Sequence, residues 1–241
     1  MTASPAVMET KKAGVFDDFV DIITSPSKVF ERRQDGKFGT HLLILTVLCV
    51  VLFFVFKNAM EPIFDAEFSR NAAKMMEKNP ALTQDQLATM QKMGGTFAGI
   101  GFAVIFPISV LLVGLVLWLV GKAFGATQSI KQSMFISTIA QVPTVIGMVL
   151  GAVQAMLLPA DKLTSQYSIG FSAARFMDPD ATNAGILGLI GRIDLIGVWI
   201  IIIMGIGLSV IGKIDRPKAW AAAAIAWVVA VLPFLIPALL A

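Results

Sequence analysis

Five long stretches of this chain carry no acidic or basic side chain other than His41, and that fact governs what it can fold into. They lie between Lys37 and Lys57, Lys92 and Lys122, Lys131 and Asp161, and Asp194 and Lys213, and from Lys218 to Ala241. A helix needs about 20 mostly apolar residues to cross about 30 Å of hydrocarbon, and each stretch offers roughly that length. The expected fold is all-α: a polytopic membrane bundle of five transmembrane helices, at about 38–57, 96–121, 131–158, 193–212 and 218–240.

Composition agrees. The chain is 56% hydrophobic and only 15% charged, with a mean hydropathy of +0.79, whereas about a quarter of the residues in a soluble domain are charged. The short alternating segments of a transmembrane β-barrel are absent. Residues 1–37 are charged throughout and lack the apolar core of a signal peptide, so a retained N-terminal segment is expected. Cys49 is the single cysteine and falls mid-span, where it serves as a small apolar filler.

Orientation follows from Lys and Arg in the connections, which are retained on the cytoplasmic side. With the N-terminus inside, eleven of the 19 basic residues are cytoplasmic, including Lys11, Lys12, Arg32, Arg33, Lys122, Lys131, Lys213 and Lys218. The other eight are spread over two longer, more acidic loops. The expected arrangement is N-terminus cytoplasmic and C-terminus extracytoplasmic. The pI near 9.1 is then a topology signal, and no basic cluster interleaved with aromatics suggests nucleic acid as a partner.

The segment "TSPSKVFERR", Thr24 to Arg33, precedes the first span. Ser25 suits an N-cap and Pro26 the first helical position. Val29 and Phe30 make an apolar side, while Arg32, Arg33 and Lys37 complement the helix dipole at its end. Upstream, Phe16, Phe19, Val20 and Ile23 share one helical face, with Asp17, Asp18 and Asp21 expected to point away. The pair reads as interfacial helices on the cytoplasmic leaflet, with aromatics in the acyl boundary and arginines at anionic headgroups. This is either a brace for the first span or a docking surface for a cytoplasmic partner.

The loop at 58–95 is patterned as an extracytoplasmic helical hairpin. Phe64, Phe68, Ala72, Met75 and Met76 form one stripe, ended by Asn79 and Pro80. Thr83 and Gln86 form a capping box and Leu82 can staple onto Leu87, starting a second helix with Met90 and Met93. The hairpin either covers the bundle or meets a partner.

Polar groups in spans mark candidate pathways. The third span carries Ser137, Gln141 and Thr144 on one face beside Pro143, which should free a backbone carbonyl. Pro107, Pro233 and Pro237 are further potential kinks. Gly147 and Gly151 form a close-approach face for packing within the protein or in a homodimer. Asp194 stands at the start of the fourth span, where a helix N-terminus favours an anion. It is either a structural anchor or an ion ligand.

No catalytic chemistry is legible. One His, one Cys, no nucleophile elbow, no phosphate loop and no metal-ligand spacing leave no catalytic, cofactor or metal residue to assign, and a non-enzymatic protein is expected.

Three pieces together look familiar: "SPSKVFERR", "SIKQSMFISTIAQVP" (Ser129 to Pro143) and "DLIGVWIIIIMGIGLSVIGK" (Asp194 to Lys213). In order and spacing they resemble the Yip1 family of five-span membrane proteins. The resemblance implies a cytoplasmic N-terminus and a division into a cytoplasmic segment, 1–37, and a transmembrane domain, 38–241. The positions that carry it are Pro26, Val29, Phe30, Gln141, Pro143, Asp194, Trp199, Gly207 and Leu208. Eukaryotic members are associated with Rab-type GTPases and vesicle traffic, but only about 37 residues precede the first span here. The short cytoplasmic regions look more like the bacterial branch, implying the inner membrane. The expected function is to organise membrane or partner proteins, in contact with lipids and a membrane or cytoplasmic partner or as a homo-oligomer. The alternative is a transporter or channel for ions, lipids or small solutes, using the third span and Asp194.

Overall fold

The computed structural model describes the backbone of residues 13–240 and their side chains except those of Thr96 and 233–240. Lys11 and Lys12 of the charge count, and the side chains of Pro233 and Pro237, lie outside the described residues. The chain is all-α. Its helices are α1 (Val15–Thr24), α2 (Pro26–Arg32), α3 (Gly39–Phe56), α4 (Glu61–Lys78), α5 (Gln84–Ala123), α6 (Ile130–Ile139), α7 (Val142–Leu157), α8 (Ala184–Arg192), α9 (Leu195–Val210) and α10 (Arg216–Leu240). Among the described residues the only β pairing is an isolated bridge between Ser172 and Asp194.

Among the described residues, three helical runs are long and apolar enough to cross a membrane: Gly39–Lys78, Phe97–Ala123 and Ile130–Leu157. The first includes α4, joined to α3 by a tight turn at Lys57–Met60. The fourth expected span, α9, has only 16 residues, about 24 Å at 1.5 Å per residue. It is short because Asp194 caps it and the chain breaks away at Ile193.

The main core joins α9 and α10 to α5, α6 and the N-terminal pair. Ala219, Ala222, Ala223 and Ala226 recur at helical spacing along α10 and are fully buried, bringing its backbone close to its neighbours. A Cβ on Gly205 of α9 would stand 2.8 Å from Trp220, which shows how tight that approach is. A second cluster, Leu45, Cys49, Phe106 and Val110, joins α3 to α5. Outward-facing Leu43, Val47, Val51 and Val55 on α3, with Ile100, Val104, Ile105 and Ile108 on α5, make an apolar belt far larger than a soluble protein leaves uncovered.

The N-terminal pair departs from expectation in three ways. Asp18 does not point away; it is fully buried. Phe30 and Val29 are not in the acyl boundary but inside the bundle, with the Phe30 ring edge-on to Phe135 of α6. Arg32 and Arg33 both turn inward to Asp18, leaving about a quarter of each side chain exposed. An ion pair within reach outcompetes snorkelling, and α9 offers Phe30 a place: a Cβ on Gly207 would lie 3.0 Å from its ring. The face of Phe16, Val20 and Ile23 does remain outward, with Phe19 half-buried against α3.

The hairpin also differs. Its second helix is no separate element but the first turns of α5, which runs unbroken for 40 residues through Pro107. The Thr83 and Gln86 capping box forms as read. Gln91 Nε2 donates to Asp65 across the hairpin at 2.9 Å. Arg70 ties α4 to the later loop, donating to Asp180 at 2.7 Å and to the Thr164 carbonyl at 3.0 Å.

Candidate functional site

Two polar assemblies stand inside this frame. The first lies where α1, α2 and α3 meet. Arg32 Nε donates to Asp18 Oδ1 at 2.7 Å, and Arg33 Nε donates to Asp18 Oδ2 at 2.7 Å. His41 Nε2 is 2.8 Å from the same Oδ2. Arg32 also donates to Asp21 at 2.6 Å, and Arg33 to the Ala13 carbonyl at 2.9 Å. Burial by itself would lower the Arg32 pKa, but the hydrogen bonds to Asp21 and Asp18 outweigh it and raise it. Phe19 and Phe135 meet the His41 ring edge-on. The local sequence explains the closure: Asp18 and Ile22, four apart, share the inner face of α1, and Pro26 starts α2 at once, folding its arginines back over that face.

The second assembly lies where two apolar helical runs are interrupted. Between α6 and α7 the helix breaks at Ala140 and Gln141. Pro143 stands in the first turn of α7, where its missing N–H costs nothing. Thr144 Oγ1 donates to Gln141 Oε1 at 3.1 Å. Between α8 and α9, Asp194 accepts from the Gly197 N–H as the N-cap of α9.

These interruptions face each other across a cavity of about 620 Å³. Gln141, Thr144, Arg192 and Asp194 line it together with apolar side chains of α5, α9 and α10, among them Trp227. A second cavity of about 340 Å³ lies beyond, and Thr144, Asp194 and Ile196 line both. Such discontinuous helices gather polar backbone and side-chain groups within a membrane only where protein or a cavity receives them.

Other positions singled out in the sequence lie in packing contacts. Trp199 is half-buried against the main core. Gly147 and Gly151 approach Ile196 and Ile169 inside the protein, so this face is used within the protein. Asp18, His41, Arg192 and Trp227 are the residues that sequence reading missed. Asp18 had a signal in its four-residue spacing from Ile22. Arg192 and Trp227 had none, because only the fold brings them to the cavity.

A family model for the Yip1 domain matches residues 20–237. The chain belongs to the Yip1 family. Comparison with curated proteins and with solved structures gives no match. The nine positions that carried the Yip1 resemblance divide by place in the fold. Val29, Phe30, Gly207 and Leu208 meet in the core around α2 and α9, while Gln141 and Asp194 line the cavity. Among the described residues no group of three or more His, Cys, Asp or Glu could hold a metal ion.

Proposed function

We propose that this Yip1-family protein is a five-span, non-enzymatic membrane protein that organises the bilayer or membrane partners around it. On this reading it stands in a bacterial inner membrane with its N-terminus cytoplasmic and its C-terminus extracytoplasmic, α9 and α10 being the fourth and fifth spans. The 25 residues of α10 reach about 37 Å, ample for a crossing.

One observation carries the reading. The inner face of α1 is fixed by the Asp18 ion pairs, while Phe16 and Val20 on its outer face are 72% and 63% exposed. An apolar face held rigidly outward at the end of a membrane bundle is suited to the acyl boundary or to another membrane protein. A homo-oligomer would use such a surface rather than the occupied Gly147 and Gly151 face. The test is a nitroxide at Phe16→Cys, in a Cys49→Ala background, in proteoliposomes. Relaxation by oxygen should exceed relaxation by a water-soluble nickel complex, and the reverse order would remove α1 from the membrane. Cysteine at Met75 should react with an impermeant thiol reagent from outside cells; reaction only from the cytoplasmic face would reverse the orientation.

Transport is the second reading, favoured by the meeting of the two cavities at Thr144, Asp194 and Ile196. It places the working groups at the helix interruptions rather than at the N-terminal pair.

A further inference from the structure

The larger cavity is elongated, and its polar groups lie towards one end. Its α5 wall runs from Phe106 to Val116, about 15 Å along the helix axis. Helices α5 and α9 run parallel, since the Thr127 N–H just beyond α5 donates to the Gly212 carbonyl just beyond α9 at 2.8 Å. Phe106 and Asp194 stand at similar distances along the chain from that tie. Arg192 and Asp194 therefore mark the end of the cavity near Phe106, and Val116 and Ile200 mark the apolar other end.

The mouth is apolar too. Leu112 and Val229 line the cavity and are 52% and 40% exposed on the flank of the bundle, where the surrounding solvent is hydrocarbon. A water-soluble solute can meet exposed Arg192 but gains nothing from the apolar wall beyond it, whereas a bilayer lipid beside the flank can cover that wall with a chain and set its headgroup at the polar end. The volume lies within the range of about 300 to 1,000 Å³ usual for ligand pockets.

We propose that this cavity is a phospholipid site: one acyl chain lies along α5 between α9 and α10, and the phosphate is held near the Arg192 guanidinium. Arginine suits this role because its planar fork matches phosphate oxygens and its charge persists at any relevant pH. Asp194, fixed as the α9 cap, sets a negative charge at the same end, which favours a headgroup carrying an amine beside its phosphate. The proposal deepens the transport reading by naming a substrate class, and it stands apart from the role given to α1.

The test uses the full chain in vesicles of phosphatidylethanolamine and phosphatidylglycerol, doped with phosphatidylethanolamine bearing a diazirine in one acyl chain. After irradiation, adducts are mapped by peptide mass spectrometry. They should be enriched at Val110, Val113 and Trp227 over the outward Leu43 and Val47 of α3, which report ordinary surrounding lipid. Adducts confined to the α3 face overturn the site.

Val113→Trp, which fills the cavity, should reduce the cavity adducts several-fold and leave those on α3 unchanged. Arg192→Gln, which keeps a polar side chain at this exposed position, should reduce them several-fold as well at an unchanged melting temperature. Unchanged cavity adducts in Arg192→Gln overturn the headgroup assignment whether or not the tryptophan variant folds. If the cavity adducts fail to form while solute flux across the same vesicles depends on Asp194, the lipid proposal falls and transport stands.

Discussion

His41 Nε2 lies 2.8 Å from Asp18 Oδ2, joining the first turn of α3 to α1 across 23 residues of chain, and both side chains are buried. Two arginines complete the shell around the same carboxylate. The arrangement sets the angle at which the N-terminal pair leaves the first span. It also decides which face of α1 looks outward.

Removing the charge of Asp18 should release the pair. Breaking a buried ion pair by changing one partner costs about 3–5 kcal/mol, a figure to be lowered here because Arg32 and Arg33 are about a quarter exposed. Asp18→Asn should lower the melting temperature of the purified protein and speed trypsin cleavage at Arg32 and Arg33. Unchanged cleavage would mean that the cluster does not hold α2 in place.

Gly207 is the seat of Phe30. A Cβ there would lie 2.7 Å from Ile136 and 3.0 Å from the Phe30 ring, and overpacking of this kind costs about 1–3 kcal/mol. Gly207→Ala should therefore destabilise the fold and loosen α2. Gly101→Ala, in α5 with nothing within 4 Å, should be neutral or stabilising by up to about 1 kcal/mol through helix propensity. Equal effects of the two changes in thermal unfolding would refute the docking of Phe30 on α9.

The contrast between α1 and the cavity shows what a sequence of this kind discloses. Charge-free runs, the helix-starting Pro26 and the caps at Thr83 and Asp194 are local signals, and the helix starts follow them closely. Whether a polar residue near a span faces water, lipid or a partner is decided by which helices meet, and that information is non-local. Asp18 shows the limit: helical periodicity placed it opposite Phe16, but Arg32 and Arg33 made burial of that side affordable. Gln141 and Asp194 were legible one by one because each caps or follows an interruption. Their joint cavity with Arg192 was not, since 51 residues separate Gln141 from Arg192.

Tyr167 is the only tyrosine, so its titration can be read directly by ultraviolet absorbance. Burial against Gly191 pushes its phenol above the ordinary value, and nearby Glu67 adds to the rise. A folded pKa above the unfolded one gives stability that is fully present below the unfolded value of about 10 and lost as pH rises through the folded value. The phenolate should appear at higher pH in the folded protein than in denaturant, with the melting temperature falling across the same window. Coincident titration curves would show that the loop from 158 to 183 leaves the ring in water.

Asp194 has two separable roles, and two substitutions divide them. As the N-cap of α9 it satisfies the Gly197 N–H, a function that Asn performs about as well as Asp and that Ala loses at a cost of about 1 kcal/mol. Asp194→Ala should lower the melting temperature and loosen the first turn of α9 in hydrogen exchange, while Asp194→Asn should stay near the wild type on both measures. If the charge also serves the cavity, Asp194→Asn will keep its stability and still alter phospholipid crosslinking at Val113. A variant stable in the fold and unchanged in crosslinking would leave Asp194 a cap and nothing more, and place the recognition of any guest on Arg192 and the apolar wall.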